Sequence, residues 1–218
     1  MMRKKLLTFA LWLLPLCLLA QPDQHSLLTL RWPAQWITHP RHTGGDYGVI
    51  HFRKNFSLDT RPDHFYINIS ADNRYRLFVN GERVAEGPAQ SDLLHWKYER
   101  LDLAPWLQAG ESLLAVQVWN YGEYLPWSFI SHSTRLIVQG EGDASALVDT
   151  DKSWKTFENE GFSPISYGIN IVGARDSVDF SRQPHGWHLP GYDDTAWTLA
   201  VEQGHGLPHG VGSGTHHH

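Results

Sequence analysis

The chain has 218 residues, with 18 Lys+Arg against 23 Asp+Glu, a formal charge of −5 and a single cysteine. An acidic balance argues against nucleic acid and anionic membrane surfaces as partners, because both require basic patches. One cysteine excludes a disulfide framework and a thiolate zinc site.

The chain opens with Arg3, Lys4 and Lys5, followed by an uncharged apolar run from Leu6 to Ala20. A basic start, a short apolar middle and a small residue at its end read as a secretory signal peptide over residues 1–20, cleaved after Ala20. The run falls short of the about 20 apolar residues that a bilayer crossing needs, so no membrane span is expected after cleavage. Cys17 leaves with the signal, and Leu16 before it is a poor fit to a lipoprotein site. A soluble product, secreted or periplasmic, is expected. All but one of the 10 tryptophans, all but one of the 9 phenylalanines and all 8 tyrosines lie beyond Ala20. Such rings stack on sugars and also fill β-sandwich cores, and composition leaves that choice open.

From Tyr47 to about Asp149 the apolar pattern has period two. Ile50, Phe52, Phe56 and Leu58 share one face, interrupted by Lys54, and Phe65, Ile67, Ile69 and Ala71 share another. Tyr75, Leu77 and Val79 alternate with Arg74, Arg76 and Phe78. Alternation of this kind marks strands with one buried face. Asn80-Gly81 between two such runs is a strong hairpin signal. Leu114, Val116 and Val118 give a further inward face, and Arg135 to Gln139 another. About eight short strands result, an all-β antiparallel sandwich or jelly roll over residues 21–150. Helix is limited to one short turn near Ala104–Gly110, with Asp102 at its start.

After Asp151 the composition shifts towards Gly, Pro, His and Asp, so residues 151–218 read as an incomplete second β unit with a loop-rich end. Asp151-Lys152-Ser153-Trp154 and Asp194-Thr195-Ala196-Trp197 share one frame. It reads as a turn that buries a tryptophan against a sheet edge.

Trp32 to Ile37, Tyr47 to Lys54, Ser70-Ala71-Asp72-Asn73-Arg74-Tyr75-Arg76-Leu77-Phe78-Val79-Asn80-Gly81, Gly87 to Trp96, Val116 to Gly122 and Trp187 to Trp197 together resemble the N-terminal region of bacterial α-L-rhamnosidases. The resemblance implies an accessory β-sandwich of the jelly-roll, galactose-binding-like kind, ahead of an α/α barrel carrying inverting glycosidase chemistry. Such chemistry needs two carboxylates about 6.5–9.5 Å apart. In the family that pair lies in the barrel, so no catalytic residue carries over to this chain. The implied partners are a rhamnose-containing glycan and the catalytic domain of the same polypeptide. The other readings are a stand-alone carbohydrate-binding module and an interaction domain without sugar affinity.

Within the matched segments, Asp72 and Asn73 suit a tight turn whose side chains cap local backbone. Arg74 and Arg76 alternate with the buried face and are expected to be solvated or paired. Ser91, Asp92, His95 and Trp96 are candidates for a groove, or equally for a loop leading into a strand. The best carbohydrate-binding candidates are Trp119, Tyr121, Tyr124 and Trp127, four rings in nine residues of a loop that either touches sugar or the missing domain or roofs the sandwich core. Trp187 belongs to a second, weaker cluster with Tyr192. Among 14 histidines, His185/His188 and His205/His209 have ligand-like spacing and His216 to His218 end the chain. Gly/Pro-rich surroundings without cysteine lead us to expect no metal and no cofactor. No Gly-x-Ser-x-Gly elbow is present.

Overall fold

A computed structural model describes residues 31–90, 92, 96–165 and 174–206. The expected signal peptide, Ser91, His95, His209 and His216–His218 lie outside the described residues. Thirteen strands are described: β1 (Gln35–Thr38), β2 (Gly48–Leu58), β3 (Tyr66–Asp72), β4 (Arg74–Val79), β5 (Glu82–Gly87), β6 (Glu99–Asp102), β7 (Gly110–Asn120), β8 (Arg135–Gly140), β9 (Lys155–Glu158), β10 (Phe162–Ile165), β11 (Arg175–Val178), β12 (Thr198–Leu199) and β13 (Val201–His205). The one α-helix among the described residues is a single turn, α1 (Ser145–Val148).

The strands form an all-β antiparallel sandwich, with a five-stranded sheet in the order β13-β1-β8-β3-β6 and a six-stranded sheet in the order β12-β9-β2-β7-β4-β5. The alternating residues of the sequence are the inner faces. Ile50, Phe52, Phe56, Leu114, Val116, Val118, Tyr75, Leu77 and Val79 meet Ile67, Ile69, Ala71, Leu136 and Val138 in one buried cluster. Lys54, the break in the pattern of β2, reaches Ser153 Oγ at the surface, 2.5 Å away. Leu103 and Leu107, flanking a 3-10 turn at Ala104–Trp106, close one end of the core. Asp102 accepts from the backbone N–H groups of Phe65 and Ala104, tying that turn to β3.

Asn80 and Gly81 both adopt positive φ, 49° and 92°, so β4 and β5 are joined by the two-residue turn that Asn-Gly favours. A bulge between Leu77 and Phe78 then shifts the register, and Arg76 faces Glu86. The two Asp-x-x-Trp frames form the same turn. Trp154 N donates to Asp151 O at 3.3 Å and Trp197 N to Asp194 O at 3.1 Å. Trp154 is fully buried in the core, where a large side chain contributes about 3 kcal/mol.

Two features differ from the sequence expectation. β2 and β7 are each 11 residues long and pair along their whole length, so the strands are more numerous and less uniformly short than alternation suggested. The residues after Asp151 do not stand apart from the sandwich. β9 and β12 extend the six-stranded sheet, and β13 extends the five-stranded one after the chain crosses between sheets at Ala200. Among the described residues the β10–β11 hairpin pairs only with itself.

The outer faces of both sheets are covered in part. Trp32, Ala34, Trp36 and Ile137 pack with Trp96 and Tyr98 over the five-stranded sheet. Trp187, Trp197 and Tyr192 pack on Leu113, Ala115, Phe78 and Phe157 of the six-stranded sheet. Arg53, buried on β2, fastens this second cover. Its Nε bonds Asp194 Oδ2 at 2.8 Å and its guanidinium also donates to the carbonyls of Trp187 and Leu189. Lys155 Nζ bonds Asp194 Oδ1 at 2.6 Å. Tryptophan richness is therefore mostly packing: Trp32, Trp36, Trp154, Trp187 and Trp197 are all buried.

Candidate functional site

Asp72 and Asn73 carry the chain from the five-stranded sheet to the six-stranded one, and their side chains organise distant backbone. The Asp72 carboxylate is buried. It accepts from Ser131 Oγ at 2.8 Å, His132 N at 2.6 Å and Ser133 N at 3.0 Å. Asn73 Oδ1 accepts from Tyr121 N at 2.9 Å, and Asn73 N donates to the Trp119 carbonyl at the same distance. Asn120 accepts from Gly122 N and donates to Ser131 Oγ. The expected local turn is thus corrected: these groups cap the two ends of the 121–133 loop, some fifty to sixty residues away in sequence. Burial pushes the Asp72 carboxyl up from its ordinary range, against the pull of the Ser131, His132 and Ser133 donors and of Arg135.

The loop pinned in this way presents its aromatics unevenly. Tyr121 packs edge-on to Phe129 at 6.5 Å, and Tyr124 edge-on to Tyr47 at 6.3 Å. Trp127 is 79% exposed. Gly122 starts the loop at φ 55°, and a Cβ there would collide with the Tyr47 backbone nitrogen. Gly122→Ala is expected to cost about 2 kcal/mol through strain and overpacking. Thermal unfolding checks this, and an unchanged midpoint would contradict it.

Beside the loop a cleft of about 230 Å³ opens on the outer face of the six-stranded sheet, lined by Arg74, Tyr75, Arg76, Glu86, Trp119, Tyr121 and Asp176. Its lining comes from four places. β4 supplies Arg74, Tyr75 and Arg76, β5 supplies Glu86, the end of β7 supplies Trp119 and the following Tyr121, and β11 supplies Asp176. Arg74 lies directly opposite Trp119 in the β4–β7 register. The Arg76 guanidinium stands 5.1 Å from the Trp119 ring centroid and its Nε bonds Glu86 Oε1 at 2.6 Å. That bond holds the Glu86 carboxyl below its usual range. Tyr47 donates its hydroxyl to Asp176 Oδ1 at 2.7 Å, and burial, then Asp176, pushes the phenol up. An aromatic ring bordered by planar polar groups is the arrangement that receives a sugar ring.

Of the five rings selected from sequence, the cleft gathers Trp119 and Tyr121. Tyr124 is linked to it through Tyr47, and Trp127 projects from the same loop. Trp187 is elsewhere. It is buried with its ring 4.0 Å from His51, so the expected sugar contact there is replaced by packing. Trp96 likewise packs, edge-on to Trp36 at 6.3 Å, with its Nε1 donating to Ser70 Oγ. Glu86 and Asp176 escaped sequence reasoning. Glu86 reaches the cleft only because of the bulge, and Asp176 only because the β10–β11 hairpin stands over this face. Among the described histidines, His185 bonds the Phe180 carbonyl while His188 stacks near Phe78. No group of three or more His, Cys, Asp or Glu side chains able to hold a metal occurs among the described residues.

No protein-family model matches the chain. It is 22% identical over 205 residues to an α-L-rhamnosidase of Alteromonas sp. (strain LOR), covering 84% of this chain and 22% of that protein. The structure of a GH78 family rhamnosidase of Bacillus sp. GL1 aligns with a TM-score of 0.72 at 29% identity, over 80% of this chain and 19% of that one. An α-L-rhamnosidase from Dictyoglumus thermophilum aligns with a TM-score of 0.62 at 23% identity, over 81% and 21%. The chain is therefore similar in sequence and fold to one β-sandwich portion of GH78 α-L-rhamnosidases, and it spans about a fifth of their length.

Proposed function

We propose that the chain is the non-catalytic, carbohydrate-handling β-sandwich of an exported α-L-rhamnosidase-like glycoside hydrolase. The observation that carries this reading is the match to the Bacillus sp. GL1 rhamnosidase, which takes in 80% of this chain and 19% of that one. Its partners are a rhamnose-containing glycan and a catalytic α/α barrel of the same polypeptide. Export to the periplasm or the medium is supported by the basic-then-apolar run from Arg3 to Ala20.

The chemistry of the cleft favours holding over cleaving. A glycosidase acid must stay protonated near neutral pH, which requires a raised carboxyl pKa. Glu86 is shifted the other way by Arg76, so it serves as a fixed acceptor. Trp119 supplies an apolar face, and the pinned loop places Trp127 outward, where sugar or a neighbouring domain can meet it.

The purified chain is expected to release no 4-nitrophenol from 4-nitrophenyl α-L-rhamnoside above the buffer rate. It is expected to bind rhamnose-containing oligosaccharides with a change in tryptophan fluorescence that Trp119→Ala reduces. Turnover that survives repurification would overturn the non-catalytic assignment. Absence of any sugar-dependent signal would overturn the carbohydrate role.

A further inference from the structure

One cation of the cleft, Arg74, points beyond a neutral sugar. Three guanidinium groups, from Arg74, Arg76 and Arg83, act on the single Glu86 carboxylate. Arg76 bonds it directly, and Arg83 Nη1 lies 3.3 Å from the same oxygen. The two close guanidinium partners of Glu86 are Arg76 and Arg83, and among the described residues Arg74 forms no ion pair. Asp176 stands on the β11 side and already accepts the Tyr47 hydroxyl. Burial pushes the phenol of Tyr121, another lining residue, up, with Arg74 pulling it down and Asp176 pushing it further up. In the lining Arg74 and Arg76 balance Glu86 and Asp176 in number, and Arg74 is the cation left without a close carboxylate.

We infer that the cleft takes an acidic sugar, a single pyranose carrying a carboxylate, with the ring against Trp119 and the carboxylate on Arg74. The inference rests on the carbohydrate reading given above and narrows its ligand class. A volume of about 230 Å³ lies below the roughly 300–1,000 Å³ of sites for drug-sized ligands, and suits one ring rather than an oligosaccharide. Arg74 is placed by cross-strand register opposite Trp119, so ring and acid are recognised from adjacent strands. The planar guanidinium fork matches a carboxylate in two-point contact, a geometry that a sugar hydroxyl cannot exploit. Asp176 accepts from ring hydroxyls, which a pyranose presents on the edge away from its acid.

The test titrates the full chain with methyl β-D-glucuronide, methyl β-D-glucoside, methyl α-L-rhamnoside and sodium sulfate, following the Trp119 indole N–H by NMR. The glucuronide is expected to bind at least about tenfold more tightly than either neutral glycoside. Its affinity should fall with added salt and drop at least about tenfold in Arg74→Gln. Arg74 is exposed, so the variant should keep the wild-type melting temperature, which separates lost binding from lost fold. Equal binding of neutral and acidic glycosides, or an unaffected Arg74→Gln, would overturn the acidic assignment and leave the carbohydrate reading standing. Sulfate that displaces the glucuronide at equal concentration would show recognition of any anion and also overturn it. If no glycoside moves the Trp119 signal and rhamnose-containing oligosaccharides bind nowhere on the chain, both readings fall.

Discussion

Replacing Asp72 with alanine is expected to destabilise the sandwich by about 3–5 kcal/mol and to release the loop from Tyr121 to Ser133. The buried carboxylate satisfies Ser131, His132 and Ser133, so its removal unties the far end of the loop. It also removes the counter-charge of Arg135, its direct partner in the β3–β8 register. Arg135 is buried over the Trp36 ring at 4.4 Å, its Nε and Nη2 have no hydrogen-bond partner, and burial already lowers its pKa to about 10. Without Asp72, a buried cation would remain over the Trp36 ring with its counter-charge gone, the costly outcome of breaking such a pair. Chemical denaturation of Asp72→Ala and Asp72→Asn checks the magnitude, and limited proteolysis checks the loop. Asn keeps one acceptor and should fall between wild type and Ala. Arg135→Met in the Ala background should recover part of the loss, because it removes the stranded charge. A loss below about 1 kcal/mol would show that the carboxylate is not the tie described above.

Acid should weaken the fold well before carboxylates titrate, and His51 is the principal cause. The ring is fully buried beneath the outer cover, and burial, then the field of His188, depresses its pKa to about 3. Asn159 Nδ2 donates to its Nε2 at 2.8 Å, which places the ring proton on Nδ1, a nitrogen with no partner. The groups facing it are Phe157, Trp187 and Trp197, with Arg53 on the same strand tied to Asp194. None of these stabilises an added proton. Above pH 6.5 the ring is neutral in both folded and unfolded chains. Between 6.5 and about 3 only the unfolded chain takes the proton, so stability falls by up to about 1.4 kcal/mol per pH unit. Burial also lowers the pKa of His39 and His188, which adds in the same direction. The carboxyls of Asp194 and Glu158, held below their usual range by their cationic partners, add a further loss at lower pH. Denaturation midpoints from pH 7 to 4 should therefore slope steeply for wild type and less for His51→Gln. Parallel slopes would exclude His51 as the source.

The local pattern carried much of this. Inward faces on β2, β3, β4, β7 and β8 follow from period two alone. The Asn80-Gly81 turn follows from the need for two positive φ values, and the repeated Asp-x-x-Trp turn from side-chain and backbone closure within four residues. The similarity to rhamnosidases was carried by contiguous segments such as Ser70 to Gly81. Each of these depends on neighbours within a few positions, which is the information a sequence displays directly. What depends on distant partners was decided by the tertiary structure. The Asp72 carboxylate finds its donors at 131–133, Arg53 finds Asp194, and the segment after Asp151 finds both sheet edges. A one-residue bulge brings Glu86 opposite Arg76, and a hairpin from β10 and β11 brings Asp176 to the same cleft. Trp119 and Trp187 look alike in sequence, yet one borders a cleft and the other is buried, because the cover over the six-stranded sheet encloses only part of that face.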